Sequence, residues 1–323
     1  MGAIGWAAAL MAGLVLGPAA GPALAGSTPP AQLTSEAELP GYPNQGIARV
    51  RDGWILSGTG TLSRVDEQLQ ETLSIADAIP ADLRAEGFDH VGDVDVVGGV
   101  VHAPLEQPDY SKRRQMMARY DADTLEFRDA RPVRQGHASF VTVDPRTRIA
   151  YSTDQFDDDR VLRYDTRRGW KRLPPLRLDR RLERIQGGDV AGGALWLSTD
   201  DATNGLYRVD LASGHVTPLG NAGHVDGEGE GIDATALPSG RLHMVTVDAA
   251  VVPVWLGHLD VTATADRFAN APGGILRDDE QLDSRWPPVL VGGVVLVAAT
   301  AAGGSIVMLR RARAALRSPG GRR

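Results

Sequence analysis

Between Gln45 and Leu259 apolar and polar residues alternate in short runs, each bounded by turn residues. A period of two puts successive side chains on opposite faces of an extended chain, so the pattern predicts strands rather than helices. The runs come in hairpins with recognisable turns: Asp52-Gly53, Gly98-Gly99, Asp144-Pro145-Arg146-Thr147, Gly192-Gly193 and Pro238-Ser239-Gly240. Their second arms read Trp54-Ile55-Leu56, Val100-Val101-His102-Ala103, Ile149-Ala150-Tyr151, Leu195-Trp196-Leu197 and Leu242-His243-Met244-Val245. After each hairpin one phrase ends a third strand: Arg64-Val65-Asp66, Arg119-Tyr120-Asp121, Arg163-Tyr164-Asp165, Arg208-Val209-Asp210, and the variant His258-Leu259-Asp260. The Asp positions step by 55, 44, 45 and 50 residues, a period that signals a propeller or solenoid.

Hairpin, third strand, turn and fourth strand make one blade of an all-β propeller. No such repeat buries its faces alone, so the blades must stack about an axis. Residues 44–275 therefore read as a β-propeller of five four-stranded blades, and within the preceding segment 26–43 residues 32–39 supply the outer strand of the last blade. A sixth blade would require a degenerate hairpin within residues 265–285. Helix is expected to be slight: a turn or two within 69–84 and within 176–184, the latter a solvated face carrying Arg177, Arg180, Arg181 and Arg184.

The two ends depart from the alternation. Residues 6–16 are an apolar run followed by Gly, Pro and Ala and by Ala23-Leu24-Ala25, and the first charged side chain is Glu36. This is the pattern of a signal peptide over residues 1–25. Residues 287–309 are a second uncharged run of 23 residues, long enough at ~1.5 Å per residue to cross a ~30 Å hydrocarbon layer as a transmembrane helix. Arg310, Arg311, Arg313, Arg317, Arg322 and Arg323 follow with no acid among them. That asymmetry places the tail 310–323 in the cytoplasm and the large N-terminal part, joined through a linker 276–286, outside a single-pass membrane anchor. The tail takes six of the 34 Lys+Arg, leaving 28 basic residues against 41 acidic ones. A domain of that sign argues against nucleic acid as a partner and suits cations. With no Cys there are neither disulfides nor thiolate metal sites.

Aligning the hairpins by their turns sets Gln45, His90, His137, Gln186 and Glu230 at the start of the five inner strands, converging on one rim of a central channel. An acid stands near the end of the second arm in four blades: Glu106, Asp154, Asp200 and Asp248. Counting outward from the turns pairs His90 with Glu106, His137 with Asp154, Gln186 with Asp200 and Glu230 with Asp248, at about 4.5–5.5 Å between Cβ atoms. A carboxylate beside each imidazole fixes its tautomer for metal binding or proton transfer. His90, His137 and Glu230 make a two-histidine, one-carboxylate metal set, while the surplus acids equally suit calcium; the ring would hold one divalent metal, calcium, zinc or another. Gln45, Asp93, Glu106, Ser139, Asp154, Gln186 and Asp200 are the candidate ligand-binding residues. In Glu228-Gly229-Glu230-Gly231 two carboxylates share one face of an extended strand, and with Asp248 they are the candidate catalytic acids. The chain has no phosphate loop, Gly-x-Ser-x-Gly elbow or His-Glu-x-x-His, so no nucleotide cofactor is indicated.

The blade pattern over residues 44–275, with the strings His90-Val91-Gly92-Asp93, Gln186-Gly187-Gly188 and Glu228-Gly229-Glu230-Gly231-Ile232-Asp233, resembles exported β-propellers with a polar central site. These are the phytase-like, gluconolactonase and paraoxonase-like, and apyrase-like proteins. The resemblance implies central carboxylates that hold calcium and hydrolyse phosphates or lactones. Three functions stay open: an anchored propeller that binds a small molecule or envelope component at its acidic rim, a metal-dependent hydrolase of phosphoesters or lactones, and a cell-envelope scaffold.

Overall fold

The structure, a computed structural model, describes residues 31–154, 158–221, 227–237, 241–247 and 254–261. The expected signal peptide 1–25, the stretch 265–285, the linker 276–286, the span 287–309, the tail 310–323 and the candidate acid Asp248 lie outside these residues. Among the described residues no helix is long and apolar enough to cross a membrane.

Five antiparallel sheets follow one another along the chain. After β1 (Gln32–Glu38), blade 1 comprises β2 (Gly46–Val50), β3 (Gly53–Gly58), β4 (Thr61–Asp66) and β5 (Glu71–Ile75). Blade 2 has an inner strand in two pieces, β6 (His90–Val91) and β7 (Asp95–Val97), then β8 (Val100–Glu106), β9 (Gln115–Asp121) and β10 (Phe127–Val133). Blade 3 comprises β11 (Val141–Val143), β12 (Ile149–Ser152), β13 (Asp158–Asp165) and β14 (Lys171–Leu182). Blade 4 comprises β15 (Ile185–Ala191), β16 (Ala194–Thr199), β17 (Gly205–Asp210) and β18 (Val216–Asn221). Blade 5 comprises β19 (Glu228–Asp233), β20 (Arg241–Val247) and β21 (Val254–Asp260), with β1 as its outermost strand. The chain is therefore a five-bladed β-propeller, closed by pairing its first described strand with its last.

The third strand of every blade ends at the Asp of the repeated phrase. In four of them the Asp side chain accepts the N–H two residues on, from Gln68, Asp123, Arg167 and Ala212. This local bond turns the chain toward the outer strand, which is why the phrase recurs. Of the two expected helical stretches, the first supplies the short helix α1 (Ala81–Ala85) beside β5. The second is not helical but belongs to β14, where Leu176, Leu178 and Leu182 are buried and Arg177, Arg180 and Arg181 are exposed. The leucines pack against Leu195 and Val209 of blade 4, and that burial selects the period of two. The other cores also lie between blades: Ile55 and Leu62 meet Val101 and Leu105, Met117 meets Val141 and Leu162, and Trp196 meets Ile232 and Leu259.

At the axis β2, β7, β11, β15 and β19 pack each against the next, and β19 against β2. Blade 2 breaks its inner strand where Asp93 crosses to blade 3: the Asp93 N–H donates to the Ser139 carbonyl at 2.7 Å, and the Val141 N–H donates to the Asp93 carbonyl at 3.3 Å. The Asp93 carboxylate accepts N–H groups from Ile47 of blade 1 at 3.0 Å, Gly188 of blade 4 at 3.0 Å, Ile232 of blade 5 at 3.3 Å and its neighbour Val94 at 3.0 Å. One residue thus bonds to every blade. Glycines admit this approach: a Cβ on Gly46 would stand 2.5 Å from the Asp93 Cα, and one on Gly187 would stand 2.7 Å from the Gly231 Cα. Both oxygens of this expected ligand-binding residue are therefore taken by the protein's own backbone. Burial pushes the Asp93 carboxyl well above the usual range, and the Ile47, Gly188 and Ile232 N–H groups pull it part of the way back. Three further buried acids join neighbours: Asp95 accepts from Val143 N at 2.7 Å, Asp189 from Ala234 N at 2.8 Å and Asp233 from Arg49 N at 2.9 Å.

Candidate functional site

The side chains at the start of the inner strands meet at the mouth on one side of Asp93. Gln45, just before β2, places its Oε1 2.7 Å from Nε2 of His90, the first residue of β6. With an amide oxygen as acceptor, the half-buried imidazole carries its proton on Nε2. Across the sheet His90 is in register with Glu106 at the end of β8, as counting from the turn predicts. The Glu106 side chain, 2% exposed, crosses to blade 3 instead of turning to His90: Oε1 accepts the Ala138 N–H, and Oε2 lies 3.6 Å from His137 Nε2. Tyr110, on a single 3-10 turn (Tyr110–Lys112) between β8 and β9, hydrogen-bonds to Glu106 and meets His137 edge-on with centroids 5.2 Å apart.

His137 thus takes its carboxyl neighbour from blade 2. Asp154, expected in that place, is held by Arg113 at 2.7 and 2.9 Å and by Gly136 N at 2.9 Å. Burial raises Asp154, but the Arg113 guanidinium and the Gly136 N–H outweigh it and keep the carboxyl below its ordinary range. Burial has the opposite outcome at Glu106, pushing it up to about 8. Burial also takes His137 down to about 3, with His90 nearby adding to the effect, and His90 down to about 4. At neutral pH this side of the mouth therefore presents a protonated acid, two neutral imidazoles, a phenol and an amide.

The other side is built by blades 4 and 5. The register of β15 slips between Ile185 and Gly187, so Arg184, rather than Gln186, faces Asp200 and forms an ion pair with it. Gln186 sits half-buried at the slip. Ser139 Oγ donates to the Ile185 carbonyl at 2.8 Å and lies 3.1 Å from Thr153 Oγ1, which ties it into the wall between blades 3 and 4. On β19 Glu228 is half-buried and Glu230 is 5% exposed. Burial first, and then Glu228 and Asp93, push Glu230 well above its usual range, while Arg184 pulls it back. The Gly231 N–H donates to the Gln45 carbonyl at 3.0 Å, so Gln45 stands between His90 and the Glu230 strand.

His90, His137 and Glu230 are not gathered around one point: among the described residues no group of three or more His, Asp or Glu is set to hold a metal ion. No family model and no curated protein matches this chain. What the mouth does must be read from its own geometry.

On the opposite side of Asp93, at the hairpin turns, a cavity of about 650 Å³ is lined by Arg51, Arg64, Val96, Val97, Ala122 and Pro145 among others. Arg64 there is paired with Asp52 at 2.5 Å and Asp123 at 2.9 Å, so its charge is locally cancelled. Tyr110, on a short turn that the repeat does not announce, and the buried His102, His243 and His258 were not among the expected site residues. The His243 ring packs between Trp54 and His258, with centroids 4.5 and 4.9 Å away. Histidine at an inward position of a strand arm was the available signal.

Proposed function

We propose that this chain is a membrane-anchored, extracytoplasmic β-propeller that binds a small polar ligand at the mouth formed by Gln45, His90, Glu106, Tyr110, His137 and Glu230. The observation that carries this reading is the convergence, from consecutive blades, of buried groups kept uncharged. The Glu106 carboxyl and Tyr110 phenol donate hydrogen bonds, the imidazoles donate or accept, and none needs a counter-ion. Half-buried Gln45, His90, Gln186 and Glu228 leave the set open to solvent. A preformed, mostly buried polar constellation on a rigid ring suits ligand capture. Export and anchoring are supported by the apolar runs 6–16 and 287–309 and the basic tail 310–323.

The test is thermal unfolding of the purified chain against a panel of sugars, organic acids, amines and phosphates, with and without calcium or zinc. At least one class is expected to raise the midpoint by mass action, about 2.7 kcal/mol at a hundredfold excess over its Kd. That shift should vanish in Gln45→Ala/His90→Ala. A midpoint indifferent to the whole panel overturns the reading.

A hydrolase is the second reading, and one observation favours it: Glu106 holds a proton at neutral pH 3.6 Å from a neutral imidazole, a pair able to pass a proton to a leaving group. The resemblance to phytase-like and lactonase-like propellers would make the substrate a phosphoester or a lactone. Cleavage of either that Glu106→Gln abolishes, while ligand binding persists, would support it.

A further inference from the structure

We propose that the cavity on the turn side of the ring is a second binding site, one that takes a small organic acid with an apolar body, its carboxylate held by Arg51 together with Arg49 and Arg64. The cavity measures about 650 Å³ and lies across Asp93 from the His90 mouth. That volume falls within the roughly 300–1,000 Å³ of small-molecule sites. Blade 1 supplies all three guanidinium groups. Arg49, on β2, is 6% exposed: its Nη2 donates to Glu67 at 2.8 Å, and its guanidinium lies over the Trp54 ring, 4.6 Å from the centroid. Arg64, on β4, donates to the Ala122 carbonyl at 3.2 Å, to Asp123 at 2.9 Å and to Asp52 at 2.5 Å. Both side chains are therefore fixed in direction before any ligand arrives, which lowers the cost of ordering them on binding.

Arg51 carries the positive charge that the fold leaves over. It follows β2 directly, lines the cavity, is exposed, and has no hydrogen bond or ion pair among the described residues. The nearby acids are already assigned: Asp52, its neighbour in the chain, and Asp123 go to Arg64, and Glu67 goes to Arg49. The two acids on Arg64 are 70% and 88% exposed, so water screens those pairs, and a guanidinium with five N–H donors has bonds left for a ligand oxygen. Three guanidinium groups thus line the cavity against one carboxylate, that of Asp123. The other walls are largely apolar, from Val50, Val96, Val97, Ala122 and Pro145. Gly98 and Gly99 continue them without side chains, and a Cβ on either would meet nothing within 4 Å, so a ligand can lie against that turn. A surplus positive charge beside apolar walls selects one negative charge on an apolar body. The planar guanidinium matches a carboxylate through two parallel N–H···O bonds. An amine or a metal ion would be repelled by Arg51, and a sugar would leave the apolar walls uncovered.

The test is calorimetric titration of the purified full-length chain with sodium benzoate, with benzamide, its uncharged counterpart, and with sodium acetate, which has the charge without the ring. Benzoate is expected to bind at least about tenfold more tightly than either. Arg51→Gln should lower the benzoate affinity about tenfold or more and leave the ligand-free unfolding midpoint unchanged, because the exposed Arg51 side chain bonds to no described residue. Arg146→Gln, at an exposed arginine of the blade 3 turn that does not line the cavity, should leave the affinity as it is. Equal binding of benzamide, equal binding of acetate, or no binding of benzoate would each overturn the proposal. Benzoate binding that survives Arg51→Gln and is lost in Gln45→Ala/His90→Ala would also overturn it, by placing the acid at the opposite mouth, and would support the function proposed for that mouth.

Discussion

Asp93→Ala is expected to cost the propeller at least about 4 kcal/mol of folding stability, the largest effect of any single substitution at the axis. Four N–H groups, from Ile47, Val94, Gly188 and Ile232, would lose their acceptor at a point sealed from water. Each buried unsatisfied donor costs about 1–3 kcal/mol. The cavity left by the side chain adds to that sum, because inner strands already in glycine contact have little room to close further. Asp95→Ala is the comparison. Its carboxylate reaches blade 3 through Val143 N at 2.7 Å and Thr142 Oγ1 at 3.2 Å, and about half the cost is expected. Denaturant unfolding of both variants measures the difference. Equal costs would mean that blade packing, and not the Asp93 carboxylate, holds the axis.

Glu106→Gln is expected to gain about 2 kcal/mol relative to the wild type between pH 6.5 and pH 8. Burial raises Glu106 from its ordinary 4.5 to about 8. The folded protein therefore binds a proton that the unfolded chain has lost, and this contribution is complete below pH 4.5 and disappears as pH rises through 8. The slope is about 1.4 kcal/mol per pH unit. Glutamine has no proton to lose and keeps an oxygen for the Ala138 N–H. The histidines act with the opposite sign: His90, His102 and His137 are depressed by burial from 6.5 to about 4, 4 and 3, so their contribution is present above pH 6.5 and lost as pH falls through those values. These groups together put the stability maximum near pH 6.5, and Glu106→Gln should lessen the fall between pH 6.5 and pH 8 by about 2 kcal/mol, with the raised Asp93 and Glu230 carboxyls acting equally in both proteins. An alkaline limb of unchanged slope in the variant would show that Glu106 is not raised.

Much of the ring was legible because its cause is local. In four blades the turn after the third strand is made by one Asp bonding two residues ahead, so the signal repeats from blade to blade. Residues 32–39 were legible as the closing strand for a related reason: fourth strands follow the other Asp phrases, and the last phrase lacked one. The rim was legible only as far as regular pairing extends. Counting from the turn gives the His90–Glu106 register correctly, yet it fails at Gln186, where the slip after Ile185 gives Asp200 to Arg184. At His137 the count holds for the backbone, where the His137 N–H donates to the Asp154 carbonyl at 2.9 Å, but the carboxyl beside the ring belongs to Glu106, whose side chain crosses from blade to blade, and distance between blades is not written in the spacing within one. Asp93 reads in sequence as one acid among many; its role emerges only when five strands close on it. The stretch 176–184 was expected to hold a turn or two of helix; it is a strand because blade 4 supplies the surface that buries its leucines.

The most direct test of the central claim, that the mouth presents buried uncharged imidazoles beside a protonated Glu106, is a pH titration of the histidine ring nitrogens by NMR. His90 and His137 are expected to keep neutral-imidazole shifts from pH 8 down to pH 5, with the His90 proton on Nε2, and to charge only near pH 4 and below. Two rim histidines titrating together near the ordinary 6.5 would contradict it, because the mouth would then be open, hydrated and positively charged at mildly acidic pH.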